Sequence, residues 1–144
     1  MYHIRRVDPE DFDDEIMSMQ RLTLPLSPPL PFEDAGDWWI AFFGDAPIGF
    51  ASLSASNKYH HSGYLSRAGV LPAHGGHGLQ KRLIRARERR ARTYGWQMLV
   101  TDTWYKNPAS QRSLIACGYK PFIPEEPWSF EHSIYWKKDL TVRG

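Results

Sequence analysis

Apolar and polar residues largely alternate from Tyr2 to Val7, a period of two that predicts a first strand. The period then changes. Phe12, Ile16, Met19 and Leu22 recur at steps of three and four, which places them on one helical face turned toward a core. Asp8 stands at the N-cap of this helix, Pro9 at its first position, and acids fill the first turn, where they favour the unpaired N–H groups. Pro25 to Pro31 holds four prolines and is expected as a stiff loop, because proline lacks the N–H that helix and sheet both use. Two apolar runs follow, Trp38–Phe43 and Ile48–Ser54, joined through Gly44-Asp45-Ala46-Pro47. Such spacing predicts an antiparallel hairpin.

Asn57 to Ser62 is polar and reads as a connection; Tyr64 to Leu71 reads as a third strand, ended by Pro72. One helix is expected from about Gly78 to Tyr94, with Gly95 just past its end. Gln97–Thr101 has the composition of a buried strand. Asn107 can cap a further helix with Pro108 at its first position and Gly118 at its end, and Ser133–Lys137 reads as a last strand. The order β-α-loop-β-β-β-α-β-α-β predicts an α/β fold with a mixed, mostly antiparallel central sheet flanked by helices. Residues 1–144 read as a single domain, because this length supports one core and not two ordinary ones.

Composition narrows the class. Apolar residues at 42% and charged residues at 24% are those of a globular protein, and no apolar run approaches the 18 residues that argue for a membrane span. The first residues carry no apolar signal segment. The single cysteine, Cys117, excludes an intramolecular disulfide and fits a small buried side chain. A cytoplasmic location is the expectation. Net charge is only +2, yet six acids lie between Asp8 and Glu15 and seven Lys/Arg between Lys81 and Arg92. A solvated helix face, partly paired with the acidic segment, accounts for the basic cluster. A nucleic-acid module using residues 81–92 is the less favoured alternative.

The chemistry concentrates between residues 70 and 84, Val-Leu-Pro-Ala-His-Gly-Gly-His-Gly-Leu-Gln-Lys-Arg-Leu-Ile. A strand, a glycine-rich turn and a helix start present several unpaired N–H groups at the positive end of a helix dipole, a place for phosphate. The Gly-Lys-Ser/Thr ending of a nucleotide-binding P-loop is absent. So is the third glycine of a dinucleotide fingerprint, and no acidic residue follows about 20 residues on in a second strand. The segment resembles instead the acetyl-CoA pyrophosphate loop of the GNAT N-acetyltransferase family, Gln/Arg-x-x-Gly-x-Gly/Ala preceded by Val-x-Pro. Val70, Pro72, Gly76, Gly78, Leu79 and Leu83 match; Gly75 replaces Gln/Arg and Gln80 replaces Gly/Ala. Downstream, Asn107-Pro-Ala-Ser110 leading to Gly118-Tyr119 is similar to the family's Asn-x-x-Ala…Tyr-x-x-x-Gly-Phe segment, with Ser110 for Ala, Leu114 for Tyr and Tyr119 for Phe.

The resemblance implies transfer of the acetyl group of acetyl-CoA, as co-substrate, to a primary amine by direct attack. The strand end Ala68, Gly69 and Val70 would pair with the pantetheine amides. The loop and helix start, Gly75, Gly76, His77, Gly78, Leu79, Gln80 and Lys81, would hold the pyrophosphate. Asn107 would reach the pantetheine arm in addition to capping its helix, and a backbone N–H near Val70 would meet the oxyanion. Asp102, where some members place a general base, is the catalytic candidate, since an amine with a pKa near 10.4 is almost wholly protonated at pH 7. A surface or turn carboxylate is its plainer explanation. Leu114 cannot protonate a departing thiolate; water, Tyr105 or Tyr119 could, although Tyr119 also fits a core position. A non-catalytic acyl-CoA-binding domain is therefore the alternative function. His60-His61 and His74-x-x-His77 lack the three or four convergent ligands that a metal site uses, so no metal is expected. The expected partners are acetyl-CoA and an amine acceptor, with no membrane; a homodimer stays open.

Overall fold

Residues 1–25, 27–28 and 36–141 are described in this computed structural model. Among them one sheet holds seven strands: β1 (Tyr2–Val7), β2 (Asp37–Phe43), β3 (Ala46–Ala55), β4 (Ser62–Val70), β5 (Met98–Trp104), β6 (Lys120–Phe122) and β7 (Ser133–Asp139). Their spatial order is β1-β2-β3-β4-β5-β7-β6. Every neighbouring pair is antiparallel except β4 and β5, which run parallel. Three α-helices join them: α1 (Asp13–Thr23), α2 (Leu79–Thr93) and α3 (Pro108–Ala116). The mixed, mostly antiparallel sheet with flanking helices is the architecture that the residue pattern predicts.

The apolar run in β2 shows why the strands read as continuous rather than alternating. Trp38, Ile40 and Phe42 pack with Ile16 and Met19 of α1, whereas Trp39 packs on the side of Leu83 and Ile84 of α2. Both faces are covered, so both sets of alternate side chains are apolar. The β2–β3 hairpin closes through Gly44 and Asp45 as expected.

Several boundaries differ for physical reasons. Pro9–Phe12 forms a 3-10 turn, with the Asp8 carboxylate accepting from the Glu10 N–H, and α1 begins only at Asp13. Leu22 is 64% exposed, not core-facing. It lies six residues beyond Ile16, about 120° round the helix, and the buried line runs Ile16–Met19–Gln20 instead. Strand β6, absent from the sequence-based expectation, is three residues long and contains Pro121, too short and too polar for a period to register. The expected proline loop lies partly outside the described residues, at 26 and 29–31.

The basic helix α2 is less solvated than expected. Arg87 is buried, its Nε donating to the Leu83 carbonyl and its Nη1 to the Ser52 carbonyl. Its partners among acids are not in the 8–15 segment: Arg90 pairs with Asp37 at 3.1 Å and Arg85 with Glu88 at 3.2 Å. Glu88, itself 1% exposed, also accepts from Lys138 Nζ at 3.0 Å and from the Tyr119 hydroxyl at 2.8 Å. This buried cluster ties α2 to β7 and to the segment after α3.

Candidate functional site

The parallel pair β4–β5 is hydrogen-bonded only from Ser62–Met98 to Tyr64–Val100. The Thr101 hydroxyl donates to the Leu65 carbonyl at 2.8 Å, and beyond that point the two strands share no pairing. Two features of β4 prepare the separation. Ser66 and Arg67 together face Ser52 of β3 as a bulge, and the bulge's Arg67 N–H is satisfied by the buried Ser52 hydroxyl at 3.1 Å. The Leu71 N–H bonds the Ile48 carbonyl at 2.9 Å, which sets the phase of the strand. Backbone groups alternate in direction along a strand, so those of Gly69 face β3 while the N–H and C=O of Ala68 and Val70 face the gap. A cleft of about 700 Å³ occupies that gap, walled by β4, β5, α2 and α3.

At one end of the cleft the chain leaves β4 through a 3-10 turn, Pro72–His74, and enters α2. Gly76 (φ 79°) and Gly78 (φ 72°) take left-handed backbone conformations that L side chains rarely adopt, and a Cβ on either would meet nothing within 4 Å. The loop is thus shaped by glycine and open to solvent. The first helical bond runs from the Arg82 N–H to the Gly78 carbonyl at 3.1 Å, which leaves the N–H groups of Leu79, Gln80 and Lys81 without acceptors inside the helix. Gln80, Ile84 and Arg87, one face of α2, line the cleft. His77 is exposed, with its ring 5.0 Å from that of Tyr2, and His74 Nδ1 lies 2.8 Å from the Tyr2 hydroxyl. Gly69 answers a different need: a Cβ there would collide with Thr23 of α1, so this glycine permits close helix–strand packing.

At the other wall Asp102 projects from β5. Its Oδ2 accepts from the Tyr64 hydroxyl at 2.7 Å and from Trp128 Nε1 at 2.9 Å, and its Oδ1 accepts from the Ser129 hydroxyl at 3.2 Å. Two carboxylate oxygens offer about four lone pairs, so roughly one, on Oδ1, remains. Burial first, and the Asp102 charge second, push the Tyr64 hydroxyl far above its ordinary pKa, so it stays a proton donor to the carboxylate. Arg67, across from it on β4, donates from Nη1 to the Pro28 carbonyl at 2.6 Å; burial lowers its pKa, with Tyr64 and Asp102 opposing.

Asn107 caps α3, its Oδ1 accepting from the Ser110 N–H at 3.2 Å, and it also lines the cleft, where its amide NH2 remains a donor. Leu114 is buried in the core and forms part of the cleft wall. Of the two hydroxyls considered for a proton to the thiolate, Tyr119 is spent on Glu88 within the core, and Tyr105 does not line the cleft. Tyr64, Arg67, Trp128 and Ser129 escaped sequence reasoning; only the alternation in β4 hinted that Tyr64 shares a face with a neighbouring strand. Cys117 is buried, and burial raises its thiol pKa. Among the described residues no three His, Cys, Asp or Glu converge as a metal site, and no helix is long and apolar enough to cross a membrane.

The model of the acetyltransferase (GNAT) family matches residues 2–119. No curated protein matches the sequence significantly. Solved structures do match the fold. An IAA acetyltransferase from Bacillus cereus superposes with a TM-score of 0.76 at 18% identity, covering 96% of this chain and 99% of that one. A putative acetyltransferase from Salmonella typhimurium, solved with its cofactor acetyl-CoA, gives 0.74 at 17% identity over 96% and 94%. A Bacillus subtilis acetyltransferase in complex with CoA gives 0.77 at 15% identity over 96% and 99%.

Proposed function

The chain belongs to the acetyltransferase (GNAT) family, and on that premise we propose that it moves the acetyl group of acetyl-CoA to a primary amine. The observation that carries this reading is the gap between β4 and β5, which opens beside the glycine-shaped start of α2. An extended pantetheine arm is a strand-like ligand. The free N–H and C=O groups of Ala68 and Val70 would pair with its amides as a neighbouring strand does. Gly69 serves by letting α1 pack behind this strand, with its own backbone groups turned to β3. The Gly75 N–H is taken by the Pro72 carbonyl at 3.2 Å, so the N–H groups of Gly76, His77 and Gly78 through Leu79, Gln80 and Lys81 would hold the pyrophosphate at the helix N-terminus. The Asn107 amide would donate to the arm while its carbonyl keeps the cap.

For the chemistry, the acceptor nitrogen attacks the thioester carbon, the C=O π electrons move to oxygen, and the oxyanion is met by a backbone N–H near Val70. Before that attack Asp102 takes one proton from the ammonium on the lone pair left at Oδ1, which frees the nitrogen lone pair, and Tyr64, Trp128 and Ser129 hold the carboxylate in place. Collapse of the intermediate expels the CoA thiolate, and the second proton of the nitrogen passes to it through water, since Leu114 offers none.

Titration calorimetry with acetyl-CoA, followed by release of free thiol across an amine panel, tests the reading. One-to-one binding with amine-dependent thiol release is expected. Absence of binding overturns the whole reading. Binding without turnover leaves a non-catalytic acyl-CoA-binding domain, the alternative that Leu114 favours.

A further inference from the structure

Among the described residues two arginines of the cleft, Arg87 and Arg67, are fixed in place without an ion pair. Arg87 is buried, with its Nε and Nη1 on the Leu83 and Ser52 carbonyls, whereas Arg67 is only half-buried and can still reach a ligand. The Arg67 Nη1 is anchored by the Pro28 carbonyl at 2.6 Å and approaches Gln20 Oε1 at 3.5 Å. Nε and Nη2 bond no described residue, and none of the three ion pairs among the described residues includes Arg67. The two acids on the cleft wall do not satisfy it: Asp102 is taken up by Tyr64, Trp128 and Ser129, and Glu131 is exposed at the rim beyond ion-pair distance. A partly desolvated guanidinium is costly unless an anion completes it. The edge left open, Nε and Nη2, is the parallel pair of donors that matches the two oxygens of a carboxylate.

We infer that the acceptor is a primary amine of the amino-acid class, its carboxylate held by the Nε–Nη2 edge of Arg67 and its amine directed toward Asp102. This rests on the acetyl-transfer reading above and adds the substrate class. The two residues stand on the two strands that part to form the cleft, so a zwitterion meets a charge of opposite sign at each wall. A polyamine or a lysine side chain of a protein brings positive charge to Arg67 and no anion for it. The exposed Phe130, which lines the cleft, adds apolar surface there, suited to a side chain of that character.

The test compares each free amino acid with its own carboxamide and its decarboxylated amine, by thiol release in the presence of acetyl-CoA. For the wild-type protein kcat/KM is expected to be at least about 100-fold higher for the acid, because the carboxamide leaves the guanidinium unpaired. Arg67→Met should bring the acid-to-amide ratio to within about threefold of one, and Arg67→Lys, which keeps charge but loses the fork, should fall between. The ratio is taken within one variant, so a smaller folded fraction cancels. Carboxamides and amines turned over as well as acids, or a preference that survives Arg67→Met, overturns the inference and leaves acetyl transfer standing. Acetyl-CoA bound with no acid in the panel turned over also overturns it. Loss of acetyl-CoA binding itself is the separate failure of the parent reading.

Discussion

Asp102→Asn changes one atom at the junction of three hydrogen bonds. The amide oxygen can still accept from Tyr64 and Trp128, now at 2.7 and 2.9 Å from Oδ2, while Ser129 can rotate its hydroxyl to accept from the new NH2. Shape is kept and charge is lost. Charge-assisted hydrogen bonds are roughly twice as strong as neutral ones, so a destabilisation of about 1–3 kcal/mol is expected. At about 3–4 °C per kcal/mol for a chain of this size, the variant remains folded at 25 °C. Acetyl-CoA affinity should hold, because in the proposed reaction the carboxylate would face the acceptor rather than the cofactor.

The catalytic effect is worked from the amine. With a pKa near 10.4, roughly 1 in 2,500 acceptor molecules is neutral at pH 7, and about 1 in 9 at pH 9.5. If Asp102 removes the proton in place, its loss should lower kcat at pH 7 by about 10²-fold or more. The deficit should shrink steadily toward pH 9.5, as neutral amine arrives from solution. Steady-state rates from pH 6.5 to 9.5 for the native and variant proteins, with acetyl-CoA binding measured alongside, decide it. A pH-independent change below threefold refutes proton removal by Asp102. A large loss equal at both ends of the range refutes it too, and assigns the carboxylate to anchoring Tyr64 and Trp128.

Three further expectations follow from the geometry. Gly78→Ala places a Cβ at φ 72° on the open face of the loop; it should cost about 1–2 kcal/mol in denaturation and weaken CoA binding at least tenfold, whereas unchanged CoA affinity removes this loop from the phosphate site. Tyr64 and Tyr119 are both held far above the ordinary tyrosine pKa, first by burial and then by Asp102 and Glu88 respectively. Their contribution is complete below pH 10 and lost progressively above it, because the unfolded chain releases protons that the fold retains; the unfolding free energy from urea denaturation should fall by about 2.7 kcal/mol per pH unit above pH 10, and Tyr119→Phe should halve the slope. Lys138→Met strips a cation from the buried Glu88 and should cost about 3–5 kcal/mol by chemical denaturation, with the double variant Glu88→Gln/Lys138→Met recovering at least half of the loss.

Much of this fold is written in local pattern. Alternation, the prolines at 9 and 108, and the glycines at 76, 78, 95 and 118 act within a few residues of themselves, so they place β1 to β5, β7 and the three helices with ends that shift by a few positions. The cap at Asn107 and the glycine turn into α2 are equally local. Leu22 leaves the expected stripe because two steps of three residues from Ile16 accumulate about 120° round α1, whereas the later start of α1 reflects the 3-10 turn at Pro9–Phe12.

The site itself is another matter. Asp102 could be singled out from its position before Asn107, but its partners could not: Tyr64 lies 38 residues away and Trp128 lies 26 away. The open Arg67 edge depends on a bulge against Ser52, and the cleft depends on two parallel strands that stop pairing after Tyr64 and Val100. Residue pattern along a chain reports what each segment will bury and where it will turn, since those follow from side chains a few positions apart. Which unpaired charge faces which carboxylate follows from strand order and from where pairing ends, and these arise only when distant segments pack.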